Sequence, residues 1–381
     1  MTINKANKNT ADLIYLVSKT VIGVKPELSK CDSMDIDGVF NAARAQGLAA
    51  MAAFALNQVI KLPPEYAELK HKAVCSASMF NYERDKIFDA FEKNKVFYLP
   101  LKGIILKSFY PKSFMREMSD NDIYFDKTKA DTVKRIMEEL GYTCKYFDKN
   151  HHDVYIKDST YVFEMHRSLF SEYSSEKFCE YYSGLEAGLI KDKDNNYGYH
   201  MTNEDFYIYM ICHLYKHYSS GGAGIRYLLD IYLYNRKLGD NLDAEYLKTE
   251  LVSLELYSFE QTAKKLAEKV YSLEELSDSE QEELQYYIES GCYGTSKHAV
   301  ANAVKSRGEG SKARYVLRRI IPSEKDLKYG YPLVYRHRIL YPLLLVYRPV
   351  AGVTKHRKRI FREVSSLKNY KKYRTDSKNR E

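Results

Sequence analysis

Near Val96 the hydrophobic period of this chain changes from helical to strand-like, and near Phe170 it changes back. Apolar residues at i, i+3, i+4 and i+7 mark one face of a helix, whereas strict alternation marks a half-buried strand. Upstream, Ala11–Ile22 carries Leu13, Ile14, Leu16 and Val17 at helical spacing. Asp37–Val59 does the same with Val39, Phe40, Ala43, Leu48 and Met51, and Glu65–Asn94 resumes as helix after Pro63-Pro64. Between 96 and 170 short β-prone runs dominate: Val96–Leu99, Ile123–Phe125, Tyr142–Phe147, Asp153–Ile156 and Tyr161–His166. One amphipathic helix, Thr128–Leu140, interrupts them, with Thr128 as expected N-cap and Gly141 as stop. Lys157-Asp158-Ser159 reads as a hairpin turn. Downstream, helices are expected over 176–184, 202–218, 225–238, 243–254, 257–271 and 278–292, with Ser219–Gly224 as a flexible joint. The expected class is α+β: a small mixed sheet between two helical regions. The expected divisions are 1–95 (helical), 96–170 (α/β core), 171–306 (helical) and 307–381 (basic and amphipathic).

Composition narrows the function classes. With 45% hydrophobic and 29% charged residues over 381 positions, the chain is globular rather than disordered. Its cysteines (31, 75, 144, 179, 212 and 292) form no Cys-x-x-Cys pair, which excludes a zinc ribbon, a thioredoxin-like motif and a disulfide-dense scaffold. The polar N-terminus carries no apolar signal core. The longest apolar run, Ile339–Val353, is broken by Pro342, Arg348 and Pro349 and falls short of the roughly 20 residues that span a bilayer. A reduced cytoplasmic setting is therefore expected. The net charge of +8 is uneven: residues 312–381 hold 20 Lys/Arg against 5 Asp/Glu, leaving the body at −7. The basic clusters Lys355–Arg359 and Lys371–Arg374 suit contact with nucleic acid or anionic membrane, or a plain solvated helix. Leu317, Ile320, Leu340, Leu344 and Val346 are expected to pack partly on the body.

The segment Arg116-Glu117-Met118-Ser119-Asp120-Asn121-Asp122-Ile123-Tyr124-Phe125 carries the chemistry. Side chains alternate along a strand, so Asp120 and Asp122 share one face, about 7 Å apart along the backbone, while Ile123 and Phe125 face the core. Carboxylates on one rigid element suit Mg²⁺, and two such ions can hold the attacking and leaving oxygens of a phosphoryl-type displacement. Taken alone, two acids on a solvated loop are the commoner outcome. Two neighbours strengthen the metal reading. Gly103 sits at an upstream strand–turn–helix, where backbone can approach a phosphate. Downstream, Glu164 and His166 share a strand face opposite Tyr161, Phe163 and Met165.

In order along the chain, Leu101-Lys102-Gly103, Tyr110-Pro111, Arg116-x-Met118-Ser119-Asp120-x-Asp122, Leu140-Gly141-Tyr142 and Glu164-Met165-His166 resemble the uncharacterised nucleotidyltransferase family, of the DNA polymerase β-like superfamily. Ala42–Leu48 is similar to its N-terminal helix. His213–His217 and Gly224–Ile231 are similar to its C-terminal helical pair, so the resemblance covers roughly residues 10–240. It departs from the superfamily in having Lys102-Gly103-Ile104 where Gly-Ser is usual, with Lys102 supplying charge in place of the serine hydroxyl, and Glu164 in place of Asp. The resemblance implies transfer of a nucleoside monophosphate from an NTP to an acceptor (small molecule, protein or RNA) with release of pyrophosphate. Asp120, Asp122 and Glu164 would be the catalytic metal ligands for Mg²⁺, with Mn²⁺ as an alternative, and Glu164 would ligate or deprotonate the acceptor. Lys102, Gly103 and Arg116 would bind the triphosphate. The rival is a non-catalytic, degenerate transferase acting as a binding protein.

Other candidates weigh less. His213 and His217, at i and i+4, share a helix face and are core or interface histidines first and substrate contacts second. His166 shares Glu164's face and could steady a metal ligand through its ring N–H. His151 and His152 precede a strand and could approach the site, with a solvated turn as an equal reading. Arg116 has Glu117 or Asp120 as simple ion-pair partners. Arg226 and Asp230 form an i, i+4 pair worth a few tenths of a kcal/mol.

Overall fold

The computed structural model describes residues 5–307, 311–355 and 357–370. The chain divides into two compact units: residues up to His213 with Ile225–Ile288, and Leu214–Gly224 with the chain from Glu289 onward.

The first unit opens on helices. Asp35 caps Ile36–Gln46 by accepting from Gly38 N at 3.1 Å. Gly47 ends it with φ +64, so the single helix expected over Asp37–Val59 is two, the second being Ala49–Leu56. A residue with side chain is strained in that left-handed conformation, which is why the break falls on glycine. Ala49–Leu56 is apolar on all sides and almost entirely buried. Pro64, which lacks an N–H to satisfy, begins the 30-residue helix Pro64–Lys93.

Five strands follow: β1 Tyr98–Pro100, β2 Asn121–Phe125, β3 Thr143–Tyr146, β4 His152–Lys157 and β5 Tyr161–His166. They lie in the order β1-β2-β5-β4-β3. Only β2 and β5 run parallel, with Asp122 opposite Glu164 and Tyr124 opposite His166. The β4–β5 hairpin closes through Thr160 N donating to Lys157 O, and its two central residues, Asp158 and Ser159, both have φ +54. This turn has the twist that antiparallel strands need. One sheet face packs Ile123, Phe125, Tyr155, Phe163 and Met165 against Phe80, Ile87 and Phe91 of helix Pro64–Lys93 and against Val133, Ile136 and Met137 of helix Ala130–Glu139. The segment entering Ala130–Glu139 is capped by Asp126, which accepts from Thr128 N and Thr128 Oγ1, so Thr128 is the capped residue rather than the cap. A second, two-stranded sheet that the sequence pattern did not suggest pairs Ile190–Lys191 with Tyr199–His200. The fold is α+β, a small mixed sheet flanked by helices.

The second unit is helical throughout its described residues, with a thin core of Val300, Val304 and Tyr315. The glycine-rich joint is tied down rather than loose. Thr295 N donates to Gly221 O at 2.8 Å, and Asn302 Nδ2 donates to the carbonyls of Tyr218 and Ser220. A Cβ on Gly294, whose φ is +71, would lie 2.7 Å from Gly221 O, so glycine permits the approach. Of the apolar residues expected to pack, Leu344 is buried, but Leu317 and Val346 are 53% and 68% exposed. His356 and the Lys371–Arg374 cluster lie outside the described residues. Among the described residues no helix is long and apolar enough to cross a membrane.

Candidate active site

The sheet face opposite the core holds the chemistry-bearing residues. Alternation along β2 and β5 puts Asp122, Glu164 and His166 on this face, and parallel pairing sets Asp122 level with Glu164. His166 Nε2 is 2.8 Å from Asp122 Oδ1 and 3.6 Å from Glu164 Oε2. His152, opposite His166 on β4, brings Nε2 to 3.7 Å from Glu164 Oε2. Lys102 Nζ donates to Asp122 Oδ1 at 2.5 Å.

Burial alone would raise the Asp122 pKa. The Lys102 ammonium and the His166 hydrogen bond outweigh burial and hold it well below the usual carboxylate range. The same contact with Asp122 overcomes the desolvation of Lys102 and keeps its ammonium charged. Glu164 is lowered too, burial being outweighed chiefly by His166 and His152. Asp120 goes the other way. It sits just before β2, and burial, then the charges of Asp122 and Glu164, push it up to about 6. Three carboxylates therefore feel one another here, although Asp120 precedes the strand.

The phosphate-binding candidates sit differently. Lys102, not Gly103, takes the left-handed turn conformation (φ +47, ψ −116), in a region side chains disfavour by about 1–3 kcal/mol. Gly103 opens helix Gly103–Leu106 and is needed for packing, since a Cβ there would lie 2.6 Å from Arg116 Nη1 and 3.1 Å from the end of Met118. Arg116 is buried and pairs with neither Glu117 nor Asp120. Its Nε and Nη2 donate to the two oxygens of Asp230 at 2.9 and 2.8 Å, and Tyr110 donates to the same carboxylate. Arg226 donates to Glu117 O and lowers the Asp120 pKa, so Asp230 is a tertiary clamp rather than a local helix partner. His213 is half-buried between the rings of Tyr209 and Tyr227. His217 belongs to the second unit. Neither is among the metal-capable clusters of the described residues.

Residues 32–272 match the model of the family described as uncharacterised nucleotidyltransferase. The chain belongs to that family. No curated protein matches it. Among solved structures, the solution structure of the antibiotic-resistance factor ANT(2'')-Ia is similar at 8% identity and a TM-score of 0.26, covering 52% of this chain and 95% of that one. So slight a likeness carries no argument about substrate.

In this nucleotidyltransferase family member the donor set fits a divalent cation. Asp122, Glu164 and His166 each offer a ligand atom within 4.8 Å of the others, and Asp120 is a further carboxylate held back by their charge. Two features had weak sequence signals. Tyr209, on helix Asn203–Tyr218, interacts electrostatically with Lys102 and Asp122, and its buried hydroxyl has no hydrogen-bond partner. Arg226 reaches the site only through tertiary packing.

Proposed function

We propose that this nucleotidyltransferase moves a nucleoside monophosphate from an NTP to an acceptor, with Mg²⁺ held by Asp120, Asp122 and Glu164. The observation that carries the reading is the parallel β2–β5 register, which levels Asp122 with Glu164 so that their carboxylates and His166 offer ligand atoms within 4.8 Å of one another. When bound, Mg²⁺ neutralises charge on the phosphates and on the leaving pyrophosphate. The acceptor oxygen forms its bond to the α-phosphorus as the bond from the α-phosphorus to the bridging oxygen breaks, and pyrophosphate leaves with that electron pair. Glu164, the more exposed of the two carboxylates that pair with His166, takes the acceptor proton. His166 orients Asp122. Lys102, which holds Asp122, would supply positive charge to a phosphate oxygen, and Arg116 acts by holding Asp230. The acceptor is a small molecule, a protein or an RNA.

One observation favours the non-catalytic alternative: Lys102 Nζ and His166 Nε2 already occupy Asp122 Oδ1. Incubation with each labelled NTP, MgCl₂ and cell extract decides between them. Metal-dependent transfer of label with pyrophosphate release supports the transferase, and no transfer from any NTP supports the binding protein.

We also propose that the second unit meets an anionic membrane surface rather than nucleic acid. Leu333, Ile339, Leu343 and Val346 are 67–87% exposed, close in sequence to exposed Arg336 and Arg338. Apolar side chains gain from the acyl boundary and nothing from a phosphate backbone. Sedimentation with phosphatidylserine vesicles should fall for the Ile339→Ser, Leu343→Ser, Val346→Ser triple variant. Equal sedimentation, or preferential binding to RNA, overturns this.

A further inference from the structure

Beside the carboxylates lies a second group of donors, of which nucleotidyl transfer uses only His166. One ring nitrogen from each of His151, His152 and His166 lies within 4.8 Å of the other two. His152 Nδ1 and His151 Nε2 are 3.3 Å apart. The His166 ring centroid is 5.1 Å from that of His152 and 5.5 Å from that of His151. Nitrogens bound at about 2.0–2.1 Å to one tetrahedral ion lie roughly 3.3–3.4 Å apart. One pair of this trio is already in that range, and binding would draw the third nitrogen in by ring rotation.

The hydrogen bonding prepares His166 for such a role. An ionised carboxylate only accepts, so the contact with Asp122 Oδ1 places a proton on Nε2, and the neutral ring then carries its lone pair on Nδ1. That Nδ1 is buried and, among the described residues, has no hydrogen-bond partner. Metal-bound histidines almost always donate their other N–H to a carboxylate, carbonyl or water, which fixes the tautomer. Asp122 and His166 already hold that arrangement.

Imidazole nitrogen suits zinc and its neighbours, whereas magnesium prefers oxygen. We propose that His151, His152 and His166 form a binding site for a transition-metal dication, Zn²⁺ in the first instance, beside the carboxylates and separate from them. Three protein ligands leave a fourth position for water or a substrate group, the pattern of an open site rather than a closed structural one. Because His166 touches both donor groups, an ion on the imidazoles couples directly to Asp122.

The test is calorimetric titration of ZnCl₂ into the metal-stripped full chain, with MgCl₂ in large excess. One Zn²⁺ per chain is expected, with affinity falling about tenfold or more in His151→Ala and His152→Ala. Far-UV circular dichroism checks the fold, and the corresponding Gln variants replace any Ala variant that misfolds. Absence of stoichiometric binding, equal binding by the variants, or displacement by Mg²⁺ overturns the proposal. No nucleotide enters the measurement, so its failure is distinct from failure of nucleotidyl transfer.

Discussion

The two faces of the five-stranded sheet are made by alternate residues of the same strands, yet they are built on opposite principles. On one face Ile123, Phe125, Phe163 and Met165 are fully buried among apolar neighbours, each contributing about 1.5–3 kcal/mol. On the other, Asp122 and His166 are nearly as buried but polar. They are held by a few charge-assisted contacts, with an orphaned His166 Nδ1 and a strained Lys102 nearby. Burial stabilises the first face whatever its exact composition. On the second, burial is costly and is offset only while each charge keeps its partner. The first face holds the strands, and the second holds the chemistry in a state that a cation or substrate can change.

Asp122→Asn gives the largest expected effect. Turnover should fall by about 10³-fold or more, because several kcal/mol of metal-borne charge stabilisation go with the carboxylate. On local chemistry alone this substitution leaves the fold intact, because the amide keeps the carboxylate's shape. The Lys102 contact changes that expectation: an unpaired, largely buried ammonium costs about 3–5 kcal/mol, read as a lowered melting temperature. Restoring the melt with Lys102→Met in the same chain, while turnover stays lost, separates the two consequences. Unchanged melting of the single variant breaks the contrast between the faces.

Phe163→Ala probes the apolar face. It should destabilise by about 3–5 kcal/mol in a denaturant titration, since Phe163 is fully buried against Phe80 and Tyr142. Turnover per folded molecule should change far less than in Asp122→Asn. A loss of turnover as deep as that of Asp122→Asn would mean the two faces do not act separately.

Asp120 gives the smallest effect and the sharpest sign. Its folded pKa of about 6 lies above the ordinary 3.8. Metal-free stability therefore falls as pH rises between those values and stays lower above about 6. Asp120→Asn removes that penalty, so the metal-free variant should melt higher than the parent at neutral pH, by on the order of 1–2 kcal/mol. The two should converge near pH 4. Saturating MgCl₂ should stabilise the parent more than the variant. Equal melts at neutral pH would show that the three carboxylates do not share one field.

Much of this was legible from residue order. The change of period at Val96 marked where the sheet begins, and alternation placed Glu164 and His166 on one face with Phe163 and Met165 on the other. The ordered motifs identified the family. Less legible were contacts between residues far apart in the chain. Arg116 had nearby acids at 117 and 120, yet it is clamped by Asp230, 114 positions away. For His151 and His152, approach to the site and a solvated turn were equal readings until antiparallel pairing set His152 opposite His166. Gly103 looked like a phosphate turn, but packing against Arg116 explains it.

By itself the sequence determined periodicity, which face each strand residue takes, and the supply of carboxylates and imidazoles, because these follow from local backbone geometry. Tertiary structure alone decided which strands pair, in which direction and at which register. The parallel β2–β5 pairing levels Asp122 with Glu164, and from that follow the shared field that raises Asp120 and the imidazole cluster beside it. Electrostatic and coordinating interactions fall off within a few ångströms in a screened medium, so the fold had to bring these groups within that range before their chemistry could exist.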